Sequence, residues 1–117
     1  MNQSTITIDV TLDQDKIPEQ ISWSATQSTA EEAQPAKAMM LSFWDGQEKA
    51  ALRIDLWTKD MMMDEMADFV YQNIMTMADN FERATRQEDL AGDMKKFAGE
   101  FMQKFQKSQI KTSGHPH

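Results

Sequence analysis

Three aspartates, Asp60, Asp64 and Asp68, recur every four residues in the middle of this chain. On a helix that spacing stacks carboxylates along one face, and carboxylate oxygens are what a hard divalent cation takes. Asp13-Gln14-Asp15 followed by Glu19 opens like a calcium loop. Such a loop needs an oxygen ligand at the next alternate position and then a glycine, where this chain has Ile17 and Pro18. The only histidines are His115 and His117, in the last three residues. There nothing holds an imidazole in the geometry of a general base or adds further metal ligands. The aspartate ladder has a simpler reading: Asp60 precedes a helix, Asp64 complements the helix dipole and Asp68 faces water. Without cysteine there is no thiol nucleophile, thiolate metal site or disulfide framework. Phosphate-binding, G-x-S-x-G, dinucleotide and zinc motifs are also missing. The expectation is no catalytic centre, no cofactor and no metal.

At 117 residues the chain has the size of one domain, expected over residues 1–110 with a disordered tail at 111–117. Twelve basic against nineteen acidic residues leave a net charge of −7, which argues against nucleic acid as a partner. Five lysines between Met94 and Lys111 suit the C-terminal dipole of a last helix. The opening MNQSTITIDV has neither a basic nor an apolar signal region, and no apolar run reaches membrane-spanning length. A cytoplasmic protein with no direct membrane insertion is expected.

Thr5 to Leu12 alternates, with Ile6, Ile8, Val10 and Leu12 on one side, and Ile21, Trp23 and Ala25 alternate with Ser22 and Ser24. These read as two half-buried strands of a long-looped hairpin. Gln27 to Lys37 lacks periodicity and reads as a surface connection. Ala38 to Trp44 and Leu52 to Thr58 read as a second hairpin around Asp45-Gly46. Pairing Phe43 with Leu52 sets Leu41 against Ile54 and Met39 against Leu56, so all six apolar residues share one face. Met66, Phe69, Val70, Ile74, Met77 and Phe81 then recur at helical spacing over Met63 to Ala84. Thr85 and Glu88 match a capping box for a second helix carrying Leu90, Met94, Phe97, Phe101 and Phe105. The fold class expected is α+β: a four-stranded antiparallel sheet of two hairpins, followed by an αα-hairpin packed on one face. Ile8, Val10, Trp23, Leu41, Ile54, Phe69, Phe81, Phe97 and Phe101 are its expected core.

Eleven methionines are the compositional oddity. Several fall on core stripes, but Met61, Met62 and Met63 cannot all face inward. Met40, Trp44, Trp57, Met61 and Met62 are the candidate protein-contact residues. They form a set of adaptable and aromatic side chains on the outer face of the second hairpin and just after it.

Ile21-Ser22-Trp23, Leu41-Ser42-Phe43-Trp44-Asp45, the run LRIDLWTKDM from Leu52 to Met61, and Asp64-Glu65-Met66 together resemble the gliding-motility protein GldC family, over roughly residues 5 to 105. Family members often carry Pro-Val where this chain has Met62-Met63, a difference at helix initiation. The resemblance implies a small cytoplasmic accessory protein for the gliding machinery, with no established enzymatic activity. The expected partner is a protein: a membrane-associated component of that machinery, or a second copy of the chain as a homo-oligomer, which the Met and Trp face leaves equally open. Four strands followed by two helices is also the element order of the export chaperone SecB, so a chaperone or adaptor for extended polypeptide is the alternative.

Overall fold

The computed structural model describes residues 2–113, with side chains described for 2–110. In chain order the elements are β1 (Ile6–Leu12), β2 (Pro18–Ala25), β3 (Gln34–Ala36), β4 (Ala38–Asp45), β5 (Ala50–Trp57), α1 (Met63–Thr85) and α2 (Glu88–Ser113). Residues 114–117 of the expected tail lie outside the described residues. The chain divides between Met61 and Met62 into two compact units, one of strands and one of helices.

In the strand unit β1 and β2 pair antiparallel, with Ile8 opposite Trp23 and Val10 opposite Ile21, as their alternation demands. The loop between them folds around Asp13, whose Oδ1 accepts the backbone N–H of Asp15 at 2.8 Å and of Ile17 at 3.0 Å. β2 starts at Pro18, three residues before its apolar alternation begins. The ladder shifts register between Thr11 and Leu12 there, an irregularity that accommodates a residue with no N–H.

The strands do not make one four-stranded sheet. They make a three-stranded sheet in the order β1-β2-β3 and a separate two-stranded sheet of β4 and β5. The segment read as a surface connection supplies β3, antiparallel to β2 with Ile21 opposite Ala36 and Ser22 opposite Pro35. Pro35 hid this strand from the sequence rules. At a sheet edge, however, a missing donor on the open side costs nothing. Only Lys37 separates β3 from β4, so the chain passes from one sheet to the other across a single residue.

The β4–β5 register is the one the apolar pattern specifies: Phe43 faces Leu52, Leu41 faces Ile54 and Met39 faces Leu56. Their turn is braced by Asp45, whose carboxylate accepts the N–H of Gln47 at 2.9 Å and of Glu48 at 3.1 Å. Lys49, not Gly46, supplies its left-handed residue, at φ 54°. Ile21 is the one large side chain here buried to 1% exposure, accompanied by Ala30 and Thr58. Ile54, expected in the core, is instead 51% exposed, and its neighbours Leu52 and Phe43 are 56% and 57% exposed. They belong to the two-stranded sheet rather than to the one centred on Ile21. Trp23 is likewise more exposed than the core reading required.

The helical unit is an antiparallel hairpin. Lys95 pairs with Asp79 at 2.7 Å, and Gln109 Nε2 lies 3.7 Å from the Met63 sulfur at the opposite end. At the start of α1, Glu65 accepts the Met62 N–H at 3.0 Å. Thr85 does not open α2 as half of a capping box. It ends α1, its hydroxyl donating to the Phe81 carbonyl at 2.7 Å and accepting the Gln87 N–H at 3.2 Å. Arg86 then closes the helix in the left-handed region.

The seam between the helices is built on alanine. Ala67 and Ala78 on α1, and Ala91 and Ala98 on α2, are its buried residues. Spacings of eleven and seven residues return to nearly the same helical face. Phe69, Val70, Ile74, Met94 and Phe101 are half-buried around them. Phe97 and Phe81, expected in the core, are instead exposed, Phe97 at 58%. Phe97 stacks on Phe101 with ring centroids 6.5 Å apart.

Candidate functional site

The β4–β5 ribbon carries apolar side chains on both faces. On its outer face Ala38 opposes Trp57, Met40 opposes Asp55, Ser42 opposes Arg53 and Trp44 opposes Ala51. Met40 and Trp57 are diagonal neighbours at one end, within reach of each other. Trp44 sits four residues from Met40, about 13 Å along the strand, at the other end. Between them Arg53 holds Asp55 through two parallel hydrogen bonds, Nε to Oδ2 at 3.0 Å and Nη2 to Oδ1 at 2.9 Å. That carboxylate keeps the Arg53 pKa above its ordinary value. The outer face is thus amphipathic, with aromatic ends and a charged middle. Trp44 and Trp57 are both exposed.

The opposite face is Met39, Leu41, Phe43, Leu52, Ile54 and Leu56, with no polar side chain. Sequence patterning assigned this face to the core, and so missed it as a surface. Removing the exposed halves of Phe43, Leu52 and Ile54 from water would contribute about 1 kcal/mol each. A strand pair apolar on both sides reads as one that is covered on both sides, so the pattern gave no sign that this face is open.

Of the five contact residues read from sequence, the register brings Met40 and Trp57 together and sets Trp44 at the far end of the same face. Met61, half-buried, follows β5 and donates its N–H to the Thr58 carbonyl at 3.1 Å. Met62 belongs to the helical unit, exposed at the position preceding α1.

The carboxylates that invited a metal reading are occupied by the fold. Asp13 Oδ2 accepts from Lys59 Nζ at 2.8 Å while its Oδ1 holds the loop. The Lys59 hydrogen bond, helped by the Ile17 N–H, lowers the Asp13 pKa, and Asp13 in turn raises that of Lys59. Asp60 accepts from the hydroxyl of Thr58, which lowers its pKa. Thr58 also donates its backbone N–H to the Lys37 carbonyl at 2.8 Å, and Lys59 donates its own to the Pro18 carbonyl at 3.2 Å. The end of β5 is thereby tied to both sheets. A cavity of about 330 Å³ opens beside this joint, between Ile21, Ala36, Lys37 and Asp60. Asp64 and Asp68 stand on α1 in the other unit, both exposed. No cluster of three or more His, Cys, Asp or Glu able to hold a metal exists among the described residues. His115 and His117 lie outside them.

On α2, Phe97, Phe101 and Phe105 with the stems of Glu100 and Lys104 line a shallow apolar groove of about 340 Å³. No helix among the described residues is long and apolar enough to cross a membrane. These features define an α+β chain that presents apolar surface on a strand ribbon and along a helix. Residues 18–107, from β2 into the last turns of α2, match the gliding motility-associated GldC-like family, and the chain belongs to it. No curated protein and no solved structure matches it.

Proposed function

We propose that this chain is a non-enzymatic, cytoplasmic accessory protein of bacterial gliding. It works by binding a protein component of the membrane-associated machinery through the outer face of the β4–β5 ribbon. The observation that carries this reading is the exposure of Trp44 at 68% and Trp57 at 56% on a face already organised by the Arg53–Asp55 pair. Large aromatics flanking a fixed polar pair supply both contact area and orientation, and such residues dominate binding energy where they are buried by a partner. Family membership supports the gliding context. The engagement of Asp13 and Asp60 in the fold supports a structural role for the acidic residues.

The test is capture of partners from native cells with Trp57→Ala and Met40→Glu as baits. Each should lose the wild-type partner by roughly tenfold or more while circular dichroism stays native. Unchanged capture would reject the outer face. The apolar groove beside Phe97 and Phe101 favours a second reading, an adaptor or chaperone for extended polypeptide. Recovery of many unfolded clients, sensitive to Phe97→Glu rather than Trp57→Ala, would select it.

A further inference from the structure

β5 pairs with β4 on one side, and among the described residues no backbone hydrogen bond reaches its other edge between Ala50 and Trp57. Just beyond, the Lys59 N–H donates to the Pro18 carbonyl at 3.2 Å, and Ile17 and Pro18 line a cavity with Asp55, Leu56 and Trp57. That edge runs for eight residues without a proline or a register shift, two of the devices by which proteins blunt an open strand. A two-stranded sheet is marginal by itself, and three or more strands make it stable. We propose that two copies of this chain pair through the open edge of β5, antiparallel about Ile54, to form a symmetric dimer with a continuous four-stranded sheet. This goes beyond the partner reading above, which concerns a face of the ribbon rather than its edge.

The run Leu52-Arg53-Ile54-Asp55-Leu56 is complementary to itself when reversed. A second copy laid antiparallel about Ile54 sets Leu52 against Leu56 and Arg53 against Asp55, in both directions. The apolar side chains stay on one face and the charges on the other. The two Arg53–Asp55 pairs become a quartet of alternating sign.

The backbone independently requires a register of this kind. Thr58 donates its N–H to the Lys37 carbonyl at 2.8 Å, one step beyond the pair of Ala38 with Trp57. Hydrogen-bonded and non-bonded pairs alternate along an antiparallel ladder. Leu56, Ile54 and Leu52 therefore bond inward to β4, and the N–H and C=O groups of Arg53 and Asp55 point to the open edge. A dimer about Ile54 makes Arg53 of one copy and Asp55 of the other exchange both backbone bonds. The adjacent symmetric registers that also match outward groups centre on Arg53 or on Asp55, placing like charges face to face, which is destabilising. The other open edges lack this property. β1 carries Asp9 as its single charge, β3 is three residues long with Pro35 at its middle, and β4 carries no charge before Asp45.

The experiment is sedimentation of the full chain with Arg53→Glu, Asp55→Lys and an equimolar mixture of the two. The wild type should dimerise, and each variant alone should self-associate roughly tenfold to a hundredfold more weakly. The mixture should recover the dimer, because the glutamate introduced in one copy then meets the lysine introduced in the other, while the native Asp55 of the first meets the native Arg53 of the second. Loss of the pair within one chain cannot be repaired by another chain, so recovery reports the contact between copies. The chain has no cysteine, which permits a second readout that does not touch the charges. Central Ile54 residues would lie about 4.5 Å apart at Cα, within disulfide range. Ile54→Cys should therefore oxidise to a linked dimer, while Leu52→Cys should link only when mixed with Leu56→Cys. A monomeric wild type, a dimer indifferent to both charge reversals, or Leu52→Cys linking with itself as readily as Ile54→Cys would each overturn the proposal. Ile54 lies on the opposite face of the ribbon from Trp57, and Ile54→Lys would set like charges against each other at the dyad. An Ile54→Lys chain that loses the dimer yet still captures the motility partner would separate this proposal from the function proposed above.

Discussion

Ile21 and Ile54 are the same residue type at the centres of two sheets, and replacing each by alanine gives a quantitative test of where the strand unit keeps its core. Ile21 is buried, so Ile21→Ala removes three carbons at about 0.8 kcal/mol each and leaves a cavity, for a loss of about 3 kcal/mol. Half of Ile54 is in water, and the same truncation there should cost about 1 kcal/mol. A unit of this size commands roughly 3–9 kcal/mol in total, so the first variant approaches global unfolding and the second does not. Trp23, Trp44 and Trp57 are the chain's three tryptophans and all lie in the strand unit, so their emission reports its unfolding alone. With a urea dependence near 1 kcal/mol per M, the midpoint should fall by about 3 M for Ile21→Ala and about 1 M for Ile54→Ala, at concentrations low enough to keep the chain monomeric. Equal shifts, or a larger one for Ile54→Ala, would show that the β4–β5 face is core after all and refute the surface reading.

Because Lys59 and the loop amides hold Asp13 below its ordinary pKa, its contribution is complete above about pH 4 and drains away as pH falls through the lower folded-state value. Tryptophan-monitored stability should therefore decline on the acid side, and Asp13→Asn should flatten that decline. Ala78→Leu should overfill the helix seam and cost about 1–3 kcal/mol, read as a lower midpoint in thermal unfolding followed by helical circular dichroism. An unchanged midpoint would contradict a seam of buried alanines.

Local chemistry was legible wherever one residue decides it. The register of β4 with β5 follows from six apolar residues that a one-residue slip would mix with Arg53 and Asp55, and from the turn at Asp45-Gly46, and it is the register found. The start of α1 at Met63 follows from the end of period-2 alternation at Trp57 and the acidic first turn. The misses also have single physical causes. β3 was invisible because Pro35 argues against a strand unless the sheet's edge is known in advance, and that is a tertiary fact. Thr85 was misplaced because a hydroxyl that caps the next helix can equally bond back to the carbonyl four residues earlier, as it does with Phe81. Of the candidate contact residues, the outer-face pair of Met40 and Trp57 could be found from alternation. The opposite face could not, since the same alternation labels it core.

Apolar periodicity identifies which side chains share a face, but not what covers them. Six residues from Met39 to Leu56 satisfy the pattern of a buried sheet, and three of them are more than half in water. On α1 and α2 the largest apolar residues seemed the natural core, yet the helices meet through Ala67, Ala78, Ala91 and Ala98 and leave Phe97 outside. Both units leave some large apolar side chains exposed, Phe43 and Trp44 in one and Met63 and Phe97 in the other, while Leu41, Leu56, Phe69 and Phe101 are half-buried. The positions buried outright among the described residues are instead Ile21, Thr58 and five alanines. Phe43, Leu52 and Ile54 on the ribbon and Phe97 on α2 are therefore the places where burial by another molecule would gain most, at about 1 kcal/mol for each exposed half.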